Sequence, residues 1–476
     1  MRRAKIIATI GPASESEEQL RRLMLAGMDV ARINMSHGRR ERHGEVIARI
    51  RRVASELNRS VAIMLDLSGP KIRTGAIGEG VRLETGGEVR ITSEKIEGDA
   101  SRISSNYPLL AREVSPGDRI LISDGELELQ VTNIVSDEVV ARVVYGGPLS
   151  SHKGINLPGA KLSIPSITEK DIEDLRYGIE RGVDLVALSF VRSASDCKQA
   201  RDLIKQMGGS GRLIAKIEKP EAVDDIANIL DASHGVMVAR GDLAVETSTE
   251  RVPVLQKKII SDALHAQKLI ITATQMLQSM IENPRPTRAE ASDVSNAILD
   301  GSDAVMLSGE TAVGRFPVES VEMMDRIIQT TEAMNIPARE AMRQAMMGRQ
   351  SGSLGRAIAE AALYAAEEVA CRLIVVITHS GHMARRIAAL RPRQRIVAFT
   401  MIERTSRQLA ASWGVEPFLL GDCSPDTDDL LARADCALLS SHIAERGENV
   451  VVMAGQLKDL AISHSMKVHR VGDLTA

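Results

Sequence analysis

Two short apolar runs, Leu213 to Ile217 and Val236 to Ala239, each end on charge: Lys216 and Glu218 on the first, Arg240, Gly241 and Asp242 on the second. Side chains alternate faces along a strand, so Lys216 and Glu218 share a side, and the same spacing pairs Arg240 with Asp242. Two carboxylates beside a lysine and an arginine can hold a divalent cation next to an anionic substrate, as phosphoryl or enolate chemistry requires. Any one such pair could equally be a salt bridge at a strand end. The pattern recurs, however. Arg32, Asn34 and Ser36 are spaced by two, as are Asp66 and Ser68, Thr272 and Thr274, and Ser308 and Glu310. In each case the polar group closes an otherwise apolar run, and six strands ending alike point to a shared polar rim rather than to folding.

The elements that must position these groups are eight apolar runs: Lys5 to Ile10, Asp29 to Met35, Val61 to Leu67, Asp184 to Phe190, Leu213 to Ile217, Gly235 to Ala239, Leu269 to Thr274 and Asp303 to Leu307. Helical patterns alternate with them. Ser14-x-x-Glu17 reads as a capping box, Leu20, Leu23 and Met24 form a stripe of period 3.6, and Gly27 is placed to end that helix. Thr287-x-x-Glu290 is a second box. Near-continuous apolar strands alternating with helices indicate a parallel sheet covered on both faces, and eight such units predict a closed (β/α)8 TIM barrel over a doubly wound open sheet.

The alternation breaks once. Between Pro70 and Ile167 the pattern becomes period-two, as in Glu88 to Thr92, Arg119 to Ile122, Glu126 to Thr132 and Glu138 to Val144, with turns at Gly86-Gly87, Asp124-Gly125 and Gly146-Gly147. This predicts an all-β lid domain inserted after strand three, at the face where such barrels keep their active sites. The expected division is therefore barrel at 1–69 and 168–346, lid at 70–167, and a C-terminal α/β domain at 347–476. Helix is expected to run to about Met346, followed by a linker at Gly348 to Ser353. Beyond it, Leu373 to Thr378, Arg395 to Thr400, Asn449 to Ala454 and Met466 to Val471 read as strands. The loop Thr378-His-Ser-Gly-His precedes a helix and carries the hydroxyls and amides that can cradle a phosphate.

Composition excludes several classes. With 476 residues the chain can bury more than one core; a net charge of -3 and 2% aromatic residues give no footprint for nucleic acid. Cys197, Cys371, Cys423 and Cys436 are widely separated, without zinc-site spacing, which fits a reducing, cytoplasmic setting. The apolar run behind Met1-Arg-Arg stops at Gly11-Pro12, too soon for a signal peptide, and no run approaches the roughly 18 apolar residues of a membrane span.

The segments Thr9-Ile-Gly-Pro-Ala-Ser, Ala31-Arg-Ile-Asn-Met-Ser-His-Gly, Leu65-Asp-Leu-Ser-Gly-Pro-Lys-Ile-Arg-Thr-Gly, Lys153-Gly-Ile-Asn-Leu-Pro-Gly, Ala215-Lys-Ile-Glu, Ala239-Arg-Gly-Asp-Leu, Ala273-Thr-Gln-Met-Leu-Gln-Ser-Met, Asn283-Pro-Arg-Pro-Thr-Arg-Ala-Glu and Met306-Leu-Ser-Gly-Glu-Thr resemble the pyruvate kinase family, in chain order. The resemblance implies transfer of a phosphoryl group from phosphoenolpyruvate to ADP, giving pyruvate and ATP. It implies Mg2+, or Mn2+ in its place, on Glu218 and Asp242; Lys216, Arg32, Arg73 and Thr274 as catalytic groups; and Arg32, Gly241, Asp242 and Thr274 as substrate contacts. It matches Asn34, His37, Arg73 and Lys153 to nucleotide positions, and Asn34, Ser36, Asp66 and Leu67 to a monovalent-cation position. It further implies a homotetramer and a phosphorylated effector held at Thr378, Ser380, Gly381 and His382.

Departures from the family pattern carry information. Members that need potassium have Glu where this chain has Lys71, whose ammonium can occupy the ion's place, so turnover without K+ is expected. Ala461-Ile-Ser-His-Ser replaces the usual Gly-Thr-Thr-Asn, which leaves the effector's identity open. Two other readings are a Mg-dependent barrel lyase or aldolase acting on an enolate, and a catalytically silent effector-binding homologue. The first would not need Lys216 or the insert; the second predicts losses in the site, and none occurs among the residues named.

Overall fold

A computed structural model describes residues 2–160, 162–334, 354–421, 427–454 and 465–473. Eight parallel strands close into a barrel: Lys5–Thr9, Val30–Asn34, Ala62–Asp66, Leu185–Leu188, Arg212–Ile217, Gly235–Ala239, Leu269–Ala273 and Ala304–Leu307, the last pairing with the first. They are the eight expected, and the open-sheet alternative is excluded. Alternation explains why their sequences look apolar throughout. Ile7, Met64, Ala187, Ile214, Met237, Ile271 and Met306 pack inside the barrel. Ile6, Ile33, Leu65, Val186, Ala215 and Val238 pack against the surrounding helices.

Helix ends follow the local chemistry, with one correction. The helix Glu17–Ala26 is capped by Ser16, whose side chain accepts from Gln19 N, and Gly27 ends it at φ 118°. Ser14 is not the cap; its hydroxyl accepts from Gly11 N at 3.1 Å. Ser16-x-x-Gln19 satisfies the same spacing rule two residues later, so the signal was degenerate. The Thr287 box forms as expected: Thr287 Oγ1 accepts from Glu290 N at 3.2 Å, and Glu290 Oε2 accepts from Thr287 N at 2.8 Å.

The insert leaves after the third strand and builds a six-stranded sheet in the order Ile155–Asn156, Arg119–Ile122, Leu127–Val135, Glu138–Tyr145, Glu88–Thr92 and Arg102–Ser104, with its own apolar core. A single helical turn, Leu110–Glu113, interrupts it. Hydrogen bonds tie the insert to the barrel, among them Arg192 Nη1 to Leu162 O at 2.5 Å, Arg192 Nη2 to Ile164 O at 2.7 Å and Asn156 Nδ2 to Glu246 Oε1 at 2.8 Å.

The C-terminal sheet orders Val415–Leu419, Arg395–Thr400, Leu373–Ile377, Asn449–Ala454 and Ser465–Arg470, the last antiparallel. Val415–Leu419 was not anticipated because Pro417 interrupts it. Proline is tolerated here because the strand is an edge. The helix expected to reach Met346, the linker Gly348 to Ser353 and residues 461–464 of the departing motif lie outside the described residues. This domain sits against the N-terminal ends of the barrel strands, through Arg391 to Asp303 at 2.7 Å, Arg407 to Asp184 at 2.9 Å, and Lys5 Nζ to Val415 O at 2.8 Å. Among the described residues no helix is long and apolar enough to cross a membrane.

Candidate active site

At the other end, where the strands finish, polar side chains from most of the barrel converge. Arg32, Asn34, Ser36, Lys71, Ser189, Lys216, Glu218, Asp242, Thr274 and Ser308 line one cavity of about 100 Å³. Its floor is an ion network. Arg32 Nη2 lies 2.6 Å from Asp66 Oδ2, and Arg32 Nη1 donates to Thr9 Oγ1 at 2.9 Å. Lys216 Nζ lies 2.9 Å from Glu218 Oε1 and 3.4 Å from Asp66 Oδ1, and donates to Ser189 Oγ at 2.7 Å.

These contacts set the charge states. Burial opposes the Lys216 ammonium, but Asp66 and Glu218 outweigh it and raise its pKa, so the lysine stays charged. Asp66 is likewise opposed by burial, and Lys216 and Arg32 hold its pKa below the ordinary value. Asp242 goes the other way. Burial and the neighbouring Glu218 push it up to about 6, against the pull of Lys216 and Lys71.

Two carboxylates thus carry uncommitted oxygens. Glu218 Oε2 accepts from Phe190 N at 2.6 Å, but its buried Oε1 has no hydrogen bond of acceptable geometry, although Lys216 is close. Asp242 has no hydrogen bond or ion pair to a described residue. No third acidic, histidine or cysteine side chain joins them among the described residues. Two carboxylates and open space suit Mg2+, which binds through one or two protein oxygens and takes the rest from water and substrate phosphate.

Strict alternation fails in several places. Thr272 does not face the cavity: it bonds Ser302 Oγ at 2.7 Å on the outer face, while Ala273 packs inside. Thr274 reaches the cavity because the chain turns at φ 69° after the strand has ended. Arg240 also points outward, to Asp293 at 2.7 Å, so it does not share a side with Asp242. The strand stops at Ala239, and Asp242 reaches the cavity from the helix Arg240–Glu246. Arg240 has a supporting task. It donates to Ala273 O at 3.2 Å and Thr274 O at 2.6 Å, holding a β-branched residue in a left-handed conformation that it would otherwise avoid.

A second cavity, of about 240 Å³, opens between barrel and insert and shares Lys71, Phe190 and Asp242 with the first; His37, Arg73, Asn156, Lys219 and Glu246 also line it. Burial, then Lys71, Arg73 and Arg32, lower the His37 pKa. Lys153 is exposed and lines neither cavity. Leu67 is buried, and its carbonyl accepts from Ser189 Oγ at 2.7 Å. Ser68 and Glu310 also stay off the cavity wall; Glu310 accepts from Leu277 N at 3.1 Å and Ser308 N at 2.7 Å. The Gly241 amide donates to Thr274 Oγ1 at 2.9 Å. Thr378, Ser380, Gly381 and His382 belong to the C-terminal domain, where Gly381 N donates to Thr378 Oγ1 at 3.0 Å.

Sequence reasoning passed over Ser189, which orients Lys216, and Phe190, whose amide holds Glu218 at φ 53°. Counting by two from Leu185 through Ala187 would have found Ser189. Glu246 and Lys219, 2.8 Å apart beneath the insert, carried no such signal.

The chain has counterparts among known proteins. The family model for the pyruvate kinase barrel domain matches residues 1–321, and that for the pyruvate kinase alpha/beta domain matches residues 356–469. A pyruvate kinase of Sporosarcina psychrophila is 44% identical over 481 aligned positions, covering 100% of this chain and 82% of that protein. One from Corynebacterium glutamicum is 43% identical, covering 100% and 98%. The crystal structure of a pyruvate kinase from Cryptosporidium parvum superposes with a TM-score of 0.92 at 37% identity, covering 99% of this chain and 96% of that one. With both domains matched in sequence and the architecture matched in space, this chain belongs to the pyruvate kinase family.

Proposed function

We propose that the chain transfers the phosphoryl group of phosphoenolpyruvate to ADP, giving pyruvate and ATP, with the site residues in the roles that follow. The observation that carries the reading is the convergence of Lys216, Arg32, Glu218, Asp242 and Thr274 on one small cavity at the barrel rim. A Mg2+ ion on Glu218 Oε1 and the Asp242 carboxylate would neutralise charge on the transferring group, and Mn2+ can substitute. Lys216, kept protonated and fixed by Ser189, Asp66 and Glu218, presents a preorganised positive charge to the same group. Arg32, held by Asp66, faces the phosphate from the opposite strand. Arg73 adds charge from the insert side, with Asn34, His37 and Lys153 on the nucleotide side.

The substrate carboxylate takes the Gly241 and Asp242 amides, displacing Thr274 Oγ1 from Gly241 N. The released hydroxyl, with a bound water, is placed to protonate the enolate carbon left when the phosphoryl group departs. The insert, residues 70–167, closes over the reaction as a lid and excludes water. Lys71 lines the cavity beside Asn34 and Ser36, and Asp66 is already engaged by Arg32 and Lys216. On that basis the monovalent-cation position is filled by the Lys71 ammonium and K+ is not required. The remaining parts of the reading are barrel segments 1–69 and 168–346, a regulatory domain at 347–476 with a phosphorylated effector on the Thr378 loop, a cytoplasmic setting and a homotetramer.

A coupled assay of ATP formation tests it. Turnover should require phosphoenolpyruvate, ADP and Mg2+ together. Release of pyruvate from oxaloacetate with no ATP formed would favour the lyase reading instead.

A further inference from the structure

One buried carboxylate beside the transfer site has no part in the chemistry so far assigned. Glu246 ends the short helix Arg240–Glu246, and its side chain is 1% exposed. A single oxygen, Oε1, serves two parts of the molecule. Lys219 Nζ of the barrel lies 2.8 Å from it, and Asn156 Nδ2 of the insert donates to it at 2.8 Å. The other oxygen, Oε2, is buried without a hydrogen bond. Asn156 closes the strand Ile155–Asn156, which leads the chain back from the insert and pairs with Arg119–Ile122 at the sheet edge. Glu246 therefore grips the insert at its root. Just before that strand, Gly154 bridges Arg73 of the outgoing chain, and Ile155 N donates to Ile72 O at 2.8 Å.

What the grip is fastened to sets it apart from a plain strut. Asp242 and Glu246 lie four residues apart on one helix, so they share a face and shift together. Lys219 directly follows Glu218. Arg192, which holds Leu162 O and Ile164 O of the insert, stands two residues beyond Phe190, whose amide binds Glu218. Each of these three barrel residues is thus within four positions of a group that supplies or orients one of the two site carboxylates. A buried ion pair adds little net stability over apolar packing of the same volume, and what Lys219 and Glu246 secure instead is one fixed geometry.

We propose that Glu246 is a positioning residue that latches the insert to the site: Lys219 orients its carboxylate, Asn156 is its catch on the insert, and through them the lid and the two site carboxylates shift as one body. This rests on the reading of the insert as a lid. Because the latch joins the root of the insert and not its tip, it works as a pivot. A swing of the insert leaves the Asn156 bond in place, and a displacement of the Asp242 helix passes through that bond into the insert.

Asn156→Ala removes the catch and leaves the Glu246–Lys219 pair intact. Hydrogen exchange of the full chain should then quicken about tenfold or more at the hinge amides of Thr74 and Ile155, which bond Lys153 O and Ile72 O, both at 2.8 Å. The core strands of the insert, Leu127–Val135 and Glu138–Tyr145, should exchange as in the parent. In the coupled assay kcat should fall about tenfold or more, with KM for phosphoenolpyruvate within about twofold, since Arg32, Gly241 and Thr274 belong to the barrel. Asn156→Asp sets a second carboxylate against Glu246 and should be worse on both measures. Glu246→Gln keeps an acceptor for Asn156 and should retain more of kcat than Glu246→Ala. Adding Asn156→Ala to Glu246→Ala should lower kcat by less than about twofold further, because both remove one interaction. The proposal is overturned if hinge exchange in Asn156→Ala matches the parent, if the core strands of the insert quicken as much as the hinge, if KM alone responds, or if the two alanine effects multiply. A parent chain that forms no ATP counts against the proposed reaction instead, and the exchange measurement still decides the latch.

Discussion

Asp242→Asn separates the cost of the site from its use. In the metal-free protein, burial and Glu218 raise the Asp242 pKa from 3.8 to about 6. At about 1.4 kcal/mol per pH unit, that rise amounts to about 3 kcal/mol. The sign follows from which state holds the proton. Below pH 3.8 both folded and unfolded chains carry it and the group is neutral in effect. Between pH 3.8 and about 6 only the unfolded chain ionises, so stability falls as pH rises, and above 6 the full penalty remains. The asparagine variant lacks the charge. Metal-free at pH 7.5 it should therefore be more stable than the parent, by up to about 3 kcal/mol, and the difference should vanish near pH 4. Mg2+ should reverse the order. At a hundred times its dissociation constant a ligand stabilises by about 2.7 kcal/mol, and only the parent keeps both carboxylates to bind it. Denaturant unfolding of both proteins, in EDTA and in Mg2+, at pH 4 and 7.5, reads all four conditions. The reasoning is refuted if the variant is less stable than the parent in EDTA at pH 7.5, or if Mg2+ stabilises both alike.

Lys216→Met should retain Mg2+ binding while turnover drops by at least about a hundredfold, the scale of one preorganised donor; ATP synthesis at the parent rate would remove the lysine from its role. Ser189→Ala loses the bond that aims Lys216, so kcat should fall roughly tenfold with KM for phosphoenolpyruvate little changed; a rise in KM alone would mean that Ser189 touches substrate. Turnover in potassium-free buffer should stay within about twofold of that in K+, and a loss of orders of magnitude would contradict the placement of the Lys71 ammonium.

The barrel was legible because its strands are buried on both faces, which makes each a bounded apolar run with little else to confuse it. Site residues were legible only as far as strand geometry extends. Lys216, Glu218, Arg32 and Asn34 obey a period of two, and they meet. Thr272 and Arg240 were misplaced because the same period was carried past Ala273 and Ala239, where the backbone had already turned. Ser189 went unseen for a different reason: a small hydroxyl inside Leu-Val-Ala-Leu-Ser-Phe-Val does not interrupt an apolar run, although its bond to Lys216 is among the shortest in the site. Val415–Leu419 was lost to Pro417, since a rule about proline in strands cannot tell an edge from a centre before the sheet order is known.

The two ends of the barrel differ in how much local sequence can reveal about them. At the mouth, groups that act together sit at the ends of successive strands, so a polar rim recurs at a steady interval and announces itself. At the base, Arg212 and Lys268 precede or begin strands, where a lone basic residue is the ordinary furniture of a turn. Their partners in the cavity between barrel and C-terminal domain, Arg385 and Arg386, come from a helix more than a hundred residues further on. No spacing rule links them. What marks the cluster is an absence of compensation, with Asp303 already taken by Arg391 and two buried donors, Arg385 Nη1 and Gln267 Nε2, unanswered, and that becomes visible only once folding has set the two domains face to face. Charge that folding leaves without a counter-ion opposes folding, so Arg212→Gln should hold or raise Tm, and a clear fall in Tm would refute the reading of Arg212 as uncompensated.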